Sequence, residues 1–253
     1  MTAHVLIIAG SDSSGGAGIA RDIETISVFG QRSCLAVTAV TVQTHAAVEH
    51  VELVPSELVA AQMRAAFAAA PVAAVKIGML GTAATIEAIG AVLANNSQVP
   101  VVVDPVLTST SGRVLLADDA IDVLRRDLMP ICRLVTPNLV ELAGLTGSAS
   151  ASDEEGACRQ AEALARTVGT AVLVKGGHAQ GSRCVDVLLQ PNQPALRFEA
   201  PRLLREMRGT GCMLSSAVAA SLALGASLEA SVSRAKQYVF DALAASKDLE
   251  THS

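Results

Sequence analysis

Short apolar runs rich in Val, Ile and Leu alternate along this chain with longer stretches in which apolar residues recur at helical spacing. The short runs Val5–Ala9, Cys34–Val42, Ala73–Ile77, Val99–Val103, Arg133–Val135 and Ala171–Val174 read as β-strands. Their near-continuous hydrophobicity marks strands covered on both faces, because a strand with one wet face alternates apolar and polar residues. Pro55–Ala69, Thr82–Leu93, Ala117–Leu128 and Asp153–Thr167 read as helices. Each opens near a proline, threonine or aspartate that suits a helix start. Alternation of this kind predicts an α/β fold, a mostly parallel sheet with helices on both faces.

After Val174 the pattern changes. Cys184–Leu189 and Ala195–Phe198 flank a Gln/Pro/Asn turn and read as an antiparallel hairpin at the sheet edge. Two closing helices, Cys212–Leu224 and Leu228–Ala245, meet at Gly225. No internal repeat is present, and the one low-complexity patch, Ser148–Asp153, reads as a loop feeding a helix. The chain therefore reads as one domain over residues 1–253. In open parallel sheets ligands sit beyond the carboxyl ends of the strands, so the residues just after each strand are those to examine.

Composition narrows the function. With 51% hydrophobic residues and 17% charged over 253 residues, the chain can bury a core, which excludes a disordered protein. A formal charge of −5 and 2% aromatic residues oppose nucleic-acid binding, which uses a basic face and stacking rings. No apolar run approaches the roughly 18 residues needed to cross a bilayer. Met1–Ala9 has no basic segment before its apolar run and so does not read as a secretory signal. Five cysteines, without a CxxC pair, read as small hydrophobes in a reducing cytoplasm.

The strand ends carry the unusual residues. Gly10–Gly18, with four glycines, is either a tight strand-to-helix turn or a cradle of backbone N–H groups for a polar ligand; it lacks the Walker A pattern. Gln43 can pair its amide with a heterocycle or serve as a satisfied buried amide, and Met79 taken alone fits a core position. Asp104 leaves a fully apolar strand just before a proline, which places a carboxylate well for a metal. Asn138 and Glu141, three apart at a helix start, form either a helix cap or a Mg²⁺ relay. Lys175, followed by Gly176 and Gly177, can meet a phosphate as a point charge. Gly209-Thr210-Gly211-Cys212 leads into an apolar helix. Its amides would point into the positive helix end, a place for a migrating phosphoryl group, whereas the bland reading is a buried cysteine behind a glycine turn. Cys212 falls on the first turn, where the helix field is expected to lower a thiol pKa.

In order, GSDSSGGAGI, the strand ending at Gln43, VKIGMLG, VVDPV, TPNLVELAGLTG, VLVKGGH, APR and GTGCMLSSAVAA resemble the hydroxymethylpyrimidine/phosphomethylpyrimidine kinases of the ribokinase-like superfamily. The likeness runs from Gly10 to Lys236. It implies a three-layer α/β/α sandwich and ATP- and Mg²⁺-dependent phosphorylation of 4-amino-5-hydroxymethyl-2-methylpyrimidine and then its monophosphate, in thiamine biosynthesis. It further implies that Gly209, Thr210 and Gly211 form an anion hole with Cys212 as catalytic base. Gly10, Asp22, Gln43 and Met79 would hold the pyrimidine, and Asp104 and Glu141 would organise Mg²⁺. Asn138, Lys175, Gly177 and Lys236 would lie near the nucleotide, and a homodimer is the usual assembly.

The sequence departs from the family pattern at Ser13, at Thr44-His45 and at Glu206-Met207-Arg208, where Asn-Thr-His is usual. One reading has Arg208 contacting phosphate as a bidentate guanidinium; the other has the second phosphorylation weakened. A pyridoxal or pyridoxine kinase, which also takes a hydroxymethyl heterocycle, is the nearest alternative, and a non-catalytic ligand-binding paralogue the more distant one. With no Trp and one Tyr, ring recognition is expected from edge hydrogen bonds by Gln43 and from Met79 against a face.

Overall fold

The computed structural model describes residues 3–109, 111–176, 182–203, 205 and 207–246. The first half contains β1 (His4–Asp12), α1 (Gly18–Val28), β2 (Arg32–Gln43), β3 (Val48–Leu53), α2 (Ser56–Ala69), β4 (Val72–Ile77) and α3 (Ala83–Ala94). Next come β5 (Val101–Val103), α4 (Asp118–Val123), β6 (Leu134–Val135), α5 (Leu139–Thr146), α6 (Glu154–Val168) and β7 (Ala171–Val174). The chain closes with β8 (Arg183–Leu189), β9 (Leu196–Pro201), α7 (Thr210–Ala223) and α8 (Leu228–Ala245). One nine-stranded sheet has the order β3-β2-β1-β4-β5-β6-β7-β8-β9. Its strands are parallel from β2 through β7, with β3 antiparallel on one edge and the β8–β9 hairpin on the other.

Both faces of the sheet are covered, as the unbroken apolar strands require. Along β1, Leu6 and Ile8 enter a core with Val59 and Met63 of α2, Ile89 of α3 and Leu164 of α6. Val5, Ile7 and Ala9 point the other way, into a core with Ile26 of α1, Val218 of α7 and Val232 of α8. Three layers result, with α1, α7 and α8 on one side. Helix α7 is buried from Met213 to Ser221, and its many Ala and Ser residues let it lie close between the sheet, α1 and α8.

Three expectations needed adjustment. Strand β3 was not expected: Val48-Glu-His-Val-Glu-Leu53 is an exposed edge strand whose polar residues hide the apolar signal. The strand expected over Val99–Val103 begins only after Pro100, which has no N–H to donate. The helix expected over Ala117–Leu128 ends as α4 at Val123 and continues as a widened turn through Leu128, just before Pro130.

The central strand β4 carries a lysine into the apolar layer. Lys76 is fully buried, and its Nζ donates to Asp22 Oδ2 of α1 at 2.8 Å. Asp22, also fully buried, accepts from Ser216 Oγ of α7 at 2.8 Å through Oδ1. Burial works against the Lys76 charge, but Asp22, with Cys212 and Asp104 nearby, outweighs it and holds the ammonium above its ordinary range. Sheet, α1 and α7 are thereby tied at one point under the strand ends. Lys76→Met is expected to cost about 3–5 kcal/mol by stranding the Asp22 charge, while Lys76→Met with Asp22→Leu recovers most of it. Chemical denaturation checks this; a double variant as unstable as the single one would contradict it.

Candidate active site

The expected site residues lie along the carboxyl ends of the parallel strands and at the start of α7. At the end of β1, a Cβ on Gly10 would stand 3.1 Å from Met79 Sδ, so these two expected ligand contacts line the same spot. Met79 is fixed through its carbonyl, which accepts from Thr38 Oγ1 at 2.6 Å. Gln43 ends β2, half-buried; Ser13 Oγ accepts from its N–H at 2.8 Å and donates to its carbonyl at 2.9 Å. Its side-chain Oε1 accepts from Thr41 Oγ1 at 3.2 Å.

Asp104, Glu141 and Lys175 converge from β5, α5 and β7. Lys175 Nζ donates to Asp104 Oδ1 at 2.7 Å and lies 3.6 Å from Glu141 Oε2. Thr136 Oγ1 also donates to Asp104 Oδ1, at 3.2 Å. Burial alone would lower the Lys175 pKa, but Asp104 and then Glu141 outweigh it and keep the ammonium above its ordinary range. Burial pushes the Glu141 carboxyl up against the opposing pull of Lys175. Asn138 caps α5 in a reciprocal box: Glu141 N–H donates to Asn138 Oδ1, and Asn138 N–H donates to Glu141 Oε2, each at 2.8 Å. The cap and the acid are therefore one device, since the box aims Glu141 at Lys175.

The α7 turn closes this group. Gly209 adopts φ +75°, and a Cβ there would come within 2.5 Å of Gly16 O, so only glycine fits. No side chain caps α7 at its start, which leaves first-turn N–H groups to a ligand. At Gly211 a Cβ would stand 3.2 Å from Lys175 Nζ and 3.4 Å from Asp104 Oδ2. The expected anion hole thus lies directly on the lysine and the first carboxylate. Asp104 and Glu141 supply hard carboxylate oxygens, and both already face the Lys175 ammonium. Among the described residues no cluster of three or more His, Cys, Asp or Glu surrounds them. Such a pair fits an ion that keeps several waters and phosphate oxygens.

Asp22 and Cys212 depart from expectation, while Lys236 and Arg208 are found with partners in the protein. Asp22 does not line an open site; it is fully buried on Lys76 and Ser216. Lys236 of α8 is turned to the edge hairpin, 2.8 Å from Asp186 and 3.2 Å from Cys184 Sγ. Asp186 in turn accepts from Gly176 N–H at 2.9 Å, so Lys236 supports the end of β7. Arg208 engages Asp12, Ser14 and the Thr44 carbonyl, in the β1–α1 loop and the β2–β3 turn. The Cys212 thiol is raised to about 11, not lowered: burial dominates, Asp22 and Asp104 add to it, and Lys76 and the Gly18 N–H only partly offset it. Gly177 and Glu206 lie outside the described residues. Sequence reasoning missed Lys76, although a lysine inside an apolar strand signals a buried partner.

The family model for phosphomethylpyrimidine kinase matches residues 12–253. A hydroxymethylpyrimidine/phosphomethylpyrimidine kinase of Rhizobium meliloti is 47% identical over 251 residues, which cover 99% of this chain and 94% of that protein. The crystal structure of phosphomethylpyrimidine kinase from Clostridium difficile superposes with a TM-score of 0.82 at 35% identity, over 95% of this chain and 99% of that one. The ADP complex of Bacillus subtilis pyridoxal kinase gives a TM-score of 0.89 at 28% identity, over 100% of this chain and 95% of that one. With the strand-end loops carrying the family's motifs in order and the whole fold shared, this chain belongs to the phosphomethylpyrimidine kinase family.

Proposed function

We propose that this chain transfers the γ-phosphoryl group of ATP to the hydroxymethyl oxygen of 4-amino-5-hydroxymethyl-2-methylpyrimidine, and then to the phosphate of the resulting monophosphate, as a step in thiamine biosynthesis. The observation that carries the reading is the close approach of the Gly211 backbone to Lys175 and Asp104, where a side chain would not fit freely, which brings the start of α7, a cation and a carboxylate to one spot. Phosphoryl transfer asks the protein mainly for positioning and charge stabilisation, and this is what such a constellation supplies. Pyridoxal kinase is the second reading, favoured by the closer superposition on that enzyme. The higher sequence identity to pyrimidine kinases supports the first.

In this reading the acceptor lies between Gly10, Gln43 and Met79, with Gln43 at the ring edge. N–H groups of Gly209, Thr210 and Gly211 meet the charge that spreads over the transferring oxygens. Lys175 and Asn138 stand on the nucleotide side. Asp104 and Glu141 would hold Mg²⁺, which supplies charge neutralisation of the phosphates when bound. The bond from acceptor oxygen to phosphorus forms as the bond to the ADP oxygen breaks. The hydroxyl proton passes to the Cys212 thiolate, formed after the thiol has given its own proton to solvent. A thiol held near 11 is ionised in a small fraction of molecules at neutral pH, but a loose transition state requires the acceptor proton to leave only late.

The reading takes the chain as a single kinase domain. Its five cysteines are free, in keeping with the cytoplasm. Among the described residues no helix is long and apolar enough to cross a membrane. The resemblance implies a homodimer, and Val40 and Val42, each about half exposed on β2, offer apolar surface for one.

Incubation with Mg-ATP and each candidate alcohol, followed by mass spectrometry, is expected to add one and then two phosphates to the pyrimidine. Phosphorylation of pyridoxal alone would replace the first reading by the second. Cys212→Ala is expected to lower kcat about 10²-fold, the lower end for loss of a general base, with KM little changed; unchanged turnover would remove Cys212 from the mechanism. Because its pKa is raised, Cys212 is protonated at neutral pH, and its alkylation by iodoacetamide should quicken with each pH step until about 11. A rate that levels off near pH 8 would show that burial does not govern this thiol.

A further inference from the structure

The side chain of Arg208 joins two segments distant from it in the chain, the Asp12–Ser14 stretch and the β2–β3 turn. Its Nη1 donates to the Thr44 carbonyl in the β2–β3 turn at 2.7 Å and to Ser14 Oγ in the β1–α1 loop at 3.1 Å. Its Nη2 lies 3.5 Å from Asp12 Oδ2 at the end of β1. The Asp12 side chain is only 4% exposed, and its other oxygen accepts from Ser14 N–H at 2.8 Å and Ser14 Oγ at 2.7 Å. A carboxylate so buried needs its cation, so the guanidinium is held in place by charge as well as by the carbonyl.

The same loop is fastened twice more. Ser13 Oγ bridges the N–H and carbonyl of Gln43, and Gly16 lies beside the His45 ring and Arg208, where an added Cβ would make ordinary contact at 3.4 Å and with Nη1 at 3.5 Å. The neighbour of Arg208 is Gly209, whose missing side chain leaves room for the Gly16 carbonyl. The β1–α1 loop therefore lies directly on the first residue of the anion hole, and Arg208 pins it there. None of these contacts reaches Lys175, Asn138 or Glu141.

We propose that Arg208 is a positioning residue for the acceptor half of the site. By tying the β1–α1 loop and the β2–β3 turn to the entrance of α7, it fixes Gly10 and Gln43 relative to the phosphoryl-binding turn and excludes water from that seam. The proposal rests on the pyrimidine-kinase reading. It assigns Arg208 to substrate selection and retention, with no part in holding nucleotide phosphates.

The test compares the wild type with Arg208→Ala, Arg208→Lys and Ser14→Ala, measuring KM for the hydroxymethylpyrimidine and for ATP, kcat, ATP hydrolysis without acceptor, and the thermal midpoint. Arg208→Ala is expected to raise the acceptor KM about tenfold and to increase acceptor-independent hydrolysis, with the ATP KM changing by less than about twofold; a displacement of about 1 Å in a positioned group is enough for such effects. Arg208→Lys, able to keep the Thr44 carbonyl contact, should fall between. An unchanged acceptor KM, or an ATP KM that rises as much as the acceptor KM, would overturn the proposal. Should Arg208→Ala lose its fold, Ser14→Ala, which removes the hydroxyl contacts to Arg208, Asp12 and the Gly16 N–H but keeps the Arg208–Asp12 charge pair, must show the same pattern more weakly, and an unaltered acceptor KM there refutes it. Failure of the wild type to phosphorylate the pyrimidine would instead sink the functional reading, with the rise in ATP hydrolysis still reporting on Arg208.

Discussion

An ammonium inside an apolar layer must have a counter-charge within reach, and the layout of this protein follows from how Lys76 meets that demand. Its partner Asp22 comes from α1, and the second oxygen of that carboxylate is held by Ser216 of α7. The geometry leaves little choice of register for either helix, since sliding α7 by one turn would leave a buried carboxylate oxygen unsatisfied. Because Ser216 is one turn beyond Cys212, fixing it also fixes the anion-binding end of α7. Hydrophobic burial places α7 between sheet and neighbouring helices; the ion pair decides where along its axis it stops.

A second charged group, Lys175 between Asp104 and Glu141, sits just above the first. The two lysines and three carboxylates lie together in low dielectric, where Asp22 and Asp104 help keep Lys76 charged and Asp104 and Glu141 help keep Lys175 charged. Cys212 belongs to the same array and shows the limit of reasoning from a helix end alone. The field of α7 favours a thiolate, yet removal from water and the two nearby carboxylates weigh more.

Much of this was legible in the sequence. Apolar strands account for the sheet and its two covered faces, and the residues after Ala9, Val42, Ile77, Val103, Val135 and Val174 stand at the carboxyl ends of its parallel strands. What stayed hidden were partnerships across the chain. Asp22 and Lys236 lie in motifs whose spacing says nothing of which neighbour they face, and each turned out to serve a buried or half-buried ion pair. Arg208 was placed near phosphate because it precedes the glycine turn, but its long side chain swings toward Asp12 and Thr44. Strand β3 escaped because an edge strand needs no continuous apolar face.

The seam around Arg208 has a consequence for how the sequence can change. Ser13, Thr44-His45 and Arg208 are the positions where the chain leaves the family's motifs, and in three dimensions they touch the same loop. They are therefore alleles of one lock. Losing the Ser13 hydroxyl would leave the Gln43 backbone without its mate, and losing the Arg208 guanidinium would do the same to Asp12, so an engineer grafting the β1–α1 loop has reason to move the residue before the glycine turn with it.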